Sequence, residues 1–263
     1  MTAPDASRRD LVAAALAATL VAPLCPALAA AAGDPAPIPP DRPARIAMLV
    51  YPGLTALDLV GPQTFLAGLA PGSLHLVGAE PGPVTSDTGL VLVATHGFAT
   101  CPADLDVLFV PGGDGTPAQM GDAALLAFLR DRAARAGWIA SVCTGSLILG
   151  AAGLLRGYRA TSHWSVRDAV LPLLGARPVA ERVVFDRDRV TAAGVSAGLD
   201  LGLALAARLR GDTYARTAQL VAEYAPAPPF RAGTPAEAEP ATVRAAEAIL
   251  APLVTGAEAA ARR

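Results

Sequence analysis

The sequence contains no lysine: all 21 of its basic residues are arginine, set against 23 acidic ones, and the formal net charge is −2. We read the missing lysine as a compositional habit of the source genome, with one chemical consequence: a nucleotide loop here has no phosphate-binding lysine. A charge balance this even excludes nucleic acid as a partner, because phosphate backbones are bound by concentrated positive charge. Cysteine and histidine are sparse, with three residues of each, and no His/Cys group has the spacing of metal ligands, so no metal is expected. Gly112-Gly113-Asp114-Gly115 lacks the dinucleotide fingerprint, which leaves no expectation of a nicotinamide, nucleotide or other cofactor. There is no internal repeat.

A membrane-spanning stretch is missing too. The apolar run from Leu11 to Leu24 is shorter than the roughly 20 residues that a span needs. It follows Ser7-Arg8-Arg9-Asp10 and precedes Ala-x-Ala choices at Ala27-Leu28-Ala29 or Ala30-Ala31-Ala32. That order is the pattern of a cleavable export signal of twin-arginine type, so residues 1–32 are expected to be removed and the mature protein to be periplasmic or extracellular. Cys25 would leave with the signal. Its removal takes Asp5, Arg8, Arg9 and Asp10 together, so the charge does not change. Residues 33–43 are rich in proline and read as a short extended linker. The remainder, 44–263, is hydrophobic enough for one large domain, the whole sequence being 53% apolar.

Within that domain, short continuous apolar runs alternate with helical patterns. Strands are expected at Arg45–Tyr51, Leu74–Ala79, Asp106–Val110 and Ile139–Val142, with a short strand at Tyr158–Thr161 and paired strands over Val179–Val190 turning at Asp186-Arg187-Asp188. Shorter strands around a glycine turn are expected from Val84 to Thr95. Helices are expected from Leu57 to about Leu69, Thr116 to Ala136, Gly145 to Gly153, Ser165 to Leu174, Gly194 to Leu209 and Thr213 to Tyr224. Proline-rich coil over Ala225–Pro240 and a final helix from about Thr242 to Leu253 follow. Strands that are apolar throughout, alternating with helices, imply an α/β fold: a mainly parallel sheet covered by helices on both faces.

The chemistry concentrates at Ile139-Ala140-Ser141-Val142-Cys143-Thr144-Gly145-Ser146. A strand-type run breaks at one cysteine, and small residues then open a helix. Free cysteine is most often a buried core residue, but strand, thiol, sharp turn and helix in that order describe a nucleophile elbow. A helix N-terminus adds partial positive charge, so the Cys143 pKa is expected to fall below that of a free thiol. Cys101, in a polar loop before Pro102, has no such support. The glycines after the Val110 strand could turn backbone N–H groups towards a ligand, as in an oxyanion hole. The strands before Gly112 and Cys143 are consecutive and parallel, so the two loops should be neighbours. Asp58 and His163 each follow a strand and open a helix; capping and a structural role, respectively, are their plainer readings. His75 and His96 carry no partner pattern.

Leu57-Asp58-Leu59-Val60-Gly61-Pro62, Val110-Pro111-Gly112-Gly113, Ser141-Val142-Cys143-Thr144-Gly145-Ser146, Arg159-Ala160-Thr161-Ser162-His163-Trp164 and Glu181-Arg182-Val183-Val184 together resemble the DJ-1/PfpI superfamily, and more closely its isonitrile (isocyanide) hydratase branch. The resemblance runs from about Arg45 to beyond Pro229. It implies a flavodoxin-like sandwich, a homodimer, Cys143 as nucleophile and Asp58 as the acid that protonates the isocyanide carbon. Thr144 is implied beside the nucleophile, with Gly112, Gly113 and Ser146 around the substrate. His163 falls where some members draw a histidine towards the cysteine. The implied product is an N-substituted formamide, formed from a small-molecule isocyanide through a Cys143 thioimidate. Peptidase- and deglycase-like members often carry histidine directly after the cysteine, where this chain has Thr144. A non-catalytic exported small-molecule binder or oxidant sensor, and another cysteine hydrolase or deglycase, are the alternatives.

Overall fold

The computed structural model describes residues 33–71 and 73–263, so the expected export signal at 1–32 lies outside the described residues. The main sheet has six strands in the order β2-β1-β5-β6-β10-β9. They are β1 (Ile46–Leu49), β2 (Leu74–Val77), β5 (Val107–Val110), β6 (Trp138–Val142), β9 (Val183–Asp186) and β10 (Arg189–Ala192). Neighbours pair in parallel except β9, which runs antiparallel to β10 at one edge. Every residue of β1, β5, β6 and β10 is buried. Helices cover both faces, so these strands need no polar alternation.

Helix α1 (Ala56–Leu66) packs along α6 (Ala197–Arg210). Their contact is close because α6 presents Gly202: a Cβ there would sit 2.8 Å from the Pro62 Cα. Among the remaining elements, β3 (Gly82–Thr85) and β4 (Val91–Ala94) form a hairpin, and β7 (Arg159–Ala160) pairs with β8 (Arg177–Pro178). His75 and His96 meet edge to face, with ring centroids 4.4 Å apart.

Three expectations need correction. The helix expected over Thr116–Ala136 is broken into α2 (Thr116–Gln119) and α3 (Ala123–Ala133). The first ends at Gln119, and Asp122 caps the second, its Oδ1 accepting from the Ala124 and Leu125 amides at 2.9 and 3.0 Å. The C-terminal helix, α8 (Pro240–Ala261), is longer than expected and docks on α2 and on α5 (Trp164–Val170). The proline-rich segment 33–43 is extended but not free. Ile38 is buried in the core, its amide donates to the Leu209 carbonyl at 2.9 Å, and Asp34 pairs with Arg208. The segment is thus tied to the end of α6.

The loops after β1, β5 and β6, adjacent strands near the middle of the sheet, leave from the same end. They converge there, as consecutive parallel strands require.

Candidate active site

Cys143 ends β6 with a φ of 57°, in the left-handed region that non-glycine residues rarely occupy. Hydrogen bonds hold it in place. Its amide donates to the carbonyls of Ala192 and Ala193 at 3.1 and 2.7 Å, and its carbonyl accepts from Ser146 Oγ at 3.2 Å and Ser162 Oγ at 3.0 Å. Helix α4 (Gly145–Ala151) begins two residues later. Strained backbone so heavily tied is a hallmark of functional turns. The turn also demands small residues. A Cβ on Gly112 would lie 2.5 Å from both the Thr144 amide nitrogen and its Oγ1, and one on Gly145 would lie 2.2 Å from the Val110 carbonyl oxygen.

Asp58 sits in the first turn of α1 but does not cap it; Thr55 is the N-cap residue. A reciprocal pair of bonds locks it to the β5 loop. The Thr55 amide donates to the Gly112 carbonyl at 2.8 Å, and the Gly112 amide donates to Asp58 Oδ2 at 2.9 Å. The carboxyl is fully buried and Oδ1 has no hydrogen-bond partner among the described residues. The carboxyl and the Cys143 thiol each alter the other's proton affinity.

Burial, with a smaller push from the Asp87 charge, raises the Asp58 pKa to about 7 against the pull of the Gly112 amide and the thiol. Burial and then the Asp58 charge push the Cys143 thiol well above the ordinary range, while the Thr144 amide and hydroxyl act in the opposite sense. The expected depression of the Cys143 pKa is therefore corrected. Desolvation and an adjacent carboxylate outweigh a helix that is only seven residues long. Cys101 is also buried and free, and burial raises its thiol too, so exposure does not separate the two cysteines. What separates them is the elbow.

The expected oxyanion donors are otherwise engaged. Gly112 donates to Asp58, and the Gly113 amide donates to Thr144 Oγ1 at 3.0 Å. These glycines orient side chains and do not leave N–H groups open to a substrate. Ser146 supports the Cys143 carbonyl. His163 is the N-cap of α5; its Nδ1 meets Ser165 Oγ at 2.8 Å, and burial lowers its pKa. It is not among the groups that act on the Cys143 thiol. Sequence reasoning missed Thr116 and Tyr51. Thr116 Oγ1 lies 2.7 Å from Thr144 Oγ1 and 3.3 Å from the Tyr51 hydroxyl. Neither carries a motif; loop packing alone brings them to the site. Among the described residues no group of three or more His, Cys, Asp or Glu could hold a metal ion.

Fold and site together define an α/β protein with a cysteine on a strained strand-to-helix turn and a buried carboxyl that alters its proton affinity. The chain belongs to the DJ-1/PfpI family, whose pattern it matches over residues 44–208. It is 50% identical over 208 residues to an isonitrile hydratase of Pseudomonas putida, across 79% of this chain and 90% of that one. A crystal structure of a THiJ/PfpI family protein from Pseudomonas syringae superimposes with a TM-score of 0.80 at 50% identity, covering 93% of this chain and 98% of that one. An HTH-type transcriptional regulator of Pseudomonas aeruginosa is 34% identical over 142 residues, which are 54% of this chain but 42% of the regulator.

Proposed function

We propose that this protein is an isonitrile hydratase-like enzyme that adds water to an isocyanide and releases an N-substituted formamide. The observation that carries this reading is the fully buried Asp58 carboxyl, held by the Gly112 amide on the loop that packs against Thr144 and Cys143, an acid and a thiol that each alter the other's proton affinity. Similarity over most of the chain to an isonitrile hydratase supports it.

The chemistry follows from that pair. Above about pH 7 it holds one proton, mainly on sulfur, with Asp58 as carboxylate. Passing the thiol proton to Asp58 produces thiolate and carboxylic acid together. The thiolate sulfur bonds to the terminal isocyanide carbon while Asp58 delivers its proton to that same carbon, giving the thioimidate R–N=CH–S–Cys143. Asp58, again carboxylate, takes a proton from water as the oxygen adds to the thioimidate carbon and passes that proton to nitrogen, giving R–NH–CH(OH)–S–Cys143. Breaking the C–S bond as the hydroxyl proton moves through Asp58 to sulfur returns the thiol and leaves R–NH–CHO. The sum is one isocyanide plus one water.

A simple alkyl isocyanide incubated with the protein should gain one water in mass; several isocyanides left unchanged would favour a ligand binder instead. The pair also sets a pH dependence. Activity needs the singly protonated pair, so kcat/KM should rise with pH through about 7 as the Asp58 proton leaves. It should decline only where the thiol titrates. A profile that falls through neutrality would reverse the assigned roles.

The export reading belongs to the same proposal. Arg8→Lys with Arg9→Lys should retain an uncleaved precursor inside the cell, whereas native protein fractionates outside the cytoplasm at a mature mass beginning near Ala30 to Asp34. Full-length native protein in the cytoplasmic fraction would overturn it.

A further inference from the structure

Thr55-Ala56-Leu57-Asp58 has the spacing of a capping box, in which a threonine at the N-cap and a carboxylate three residues on satisfy each other's backbone amides. Neither side-chain bond of the box forms. Thr55 is the N-cap residue of α1 and has the extended backbone of one, yet its hydroxyl caps nothing. It donates to Asp87 Oδ2 instead, while the Asp58 carboxyl accepts from the Gly112 amide. Two side chains spaced to hold each other are both drawn away from the helix, and its cap is given up.

What draws Thr55 away is the β3–β4 hairpin. Asp87 grips the loop after β1 at two points, its amide donating to the Leu54 carbonyl at 2.9 Å and its carboxylate accepting from the Thr55 hydroxyl. Beside them the Gly53 amide donates to the Thr85 carbonyl at 2.9 Å. The hairpin can bear this because its turn is closed on itself. The buried Ser86 donates its amide to the Leu90 carbonyl at 2.8 Å, and its Oγ accepts from the Leu90 amide at 3.0 Å. The same loop is also packed on the glycines after β5: the Gly115 amide donates to the Gly53 carbonyl at 3.0 Å, and a Cβ on Gly113 would lie 2.4 Å from the Thr55 amide nitrogen. Residues 53–55 are thus fixed by the hairpin as well as by the β5 loop.

We infer that Asp87 is a positioning residue for Asp58: by holding Thr55 out of the capping box it keeps the Thr55 amide on the Gly112 carbonyl and leaves the Asp58 carboxyl to the Gly112 amide. Released, Thr55 and Asp58 can close the box, which turns the carboxyl back along its own helix to the Thr55 amide. Its place on Gly112 matters because that glycine lies at the elbow, where a Cβ on it would be 3.0 Å from the Cys143 Cβ. The Asp87 charge is also felt at Asp58 and adds to its raised pKa. The inference deepens the hydratase reading and rests on it for its meaning in turnover. The placement of the carboxyl stands without any isocyanide.

The test compares Asp87→Ala, Asp87→Asn, Thr55→Val and Thr55→Ser. Hydrogen exchange of the Gly112 amide, followed by NMR, reports whether the carboxyl still holds it, and the amides of β6 report the fold as a whole. Asp87→Ala, at an exposed position, removes the acceptor and should speed Gly112 exchange by about three- to thirtyfold while β6 keeps its native rates. Thr55→Val removes the donor and should do the same. Asp87→Asn keeps an acceptor and Thr55→Ser keeps a donor, so both should stay within about twofold of native. With an isocyanide substrate, kcat is measured well above pH 7, where Asp58 is carboxylate in every variant. In Asp87→Ala it should fall by about as much as exchange rises, with KM unchanged, short of the roughly 100-fold that a misplacement of about 1 Å costs. If Thr55→Val does not fold, the contrast between Asp87→Ala and Asp87→Asn decides the matter. Native Gly112 exchange in Asp87→Ala, equal acceleration across β6, or Asp87→Asn behaving like Asp87→Ala would each overturn the inference, as would a Thr55→Ser protein that exchanges like Thr55→Val. Exchange that behaves as expected in a protein that turns over no isocyanide would sink the hydratase reading alone.

Discussion

Cys143→Ala should yield a folded protein that forms no formamide from an isocyanide above the uncatalysed background. The fold should survive because the elbow is held by backbone groups and by Ser146 and Ser162, none of which needs the sulfur. Alanine suffers the same left-handed backbone as cysteine, so the substitution neither relieves nor adds strain at φ 57°. Asp58 remains, still tied to the Gly112 amide, and can still offer a proton. An acid alone, however, gives the isocyanide carbon no second bond. The expected loss is therefore on the order of the 10⁶-fold in kcat seen when a covalent nucleophile is removed. Product mass and intact-protein mass measure it together: the native protein should show the thioimidate adduct under rapid quenching, and the variant none. Turnover in Cys143→Ala within tenfold of native would mean that water attacks directly and that sulfur is a bystander. Cys101, the other thiol within the described residues, is held against the Pro102 carbonyl away from the elbow and should not substitute.

Much of the scaffold was legible in the sequence because its physics is local. Strands buried on both faces are near-continuously apolar, and Ile46–Leu49, Val107–Val110 and, but for Ser141, Trp138–Val142 are. The elbow was legible for a related reason: a thiol between a buried strand and a run of small residues has few other uses. Asp122 could have been read as a break, since an aspartate before a helical run is a cap signal, but the apolar periodicity on either side concealed it. What was not legible depends on groups far apart in the chain. Gly112 and Asp58 are 54 residues apart, and only the folded loops reveal that the glycine amide orients the carboxyl and does not face a substrate. The direction of the Cys143 shift was misread because a helix N-terminus is visible in sequence and burial is not. The resemblance sets His163 where some members draw a histidine towards the cysteine, whereas its ring caps its own helix, in line with the structural reading that its position after a strand allows. Thr116 and Tyr51 have no pattern at all.

A thiol held mostly protonated suits the proposed reaction. A free thiolate in a resting site would be open to oxidation and alkylation. Here burial and the Asp58 charge favour the protonated sulfur. In the proposed mechanism the nucleophile and the acid therefore arise in one proton transfer. Neither has to persist at rest.

That coupling makes Asp58→Asn the most discriminating substitution, because it should move two observables in opposite directions. Asparagine keeps the side-chain shape, and its carbonyl oxygen can still accept from the Gly112 amide, so the loops after β1 and β5 should remain clamped. It cannot accept the thiol proton or return one to carbon. Turnover should fall by roughly 10²- to 10⁴-fold, the usual loss on removing a general acid–base group. The same change takes a negative charge away from the sulfur. Since that charge is a principal cause, after burial, of the raised Cys143 pKa, the thiol should titrate lower and iodoacetamide should label Cys143 faster at neutral pH than in the native protein. Stability supplies a third readout. The Asp58 pKa is higher folded than unfolded, so ionisation favours the unfolded chain increasingly from about pH 4 up to about 7. Asparagine escapes that penalty, and the variant should melt at neutral pH no lower than the native protein. A merely structural Asp58 predicts otherwise: a lower Tm, with alkylation and turnover altered only as far as folding is. Full turnover in a folded Asp58→Asn protein would demand another acid, and the capping geometry of His163 leaves that histidine poorly placed to serve.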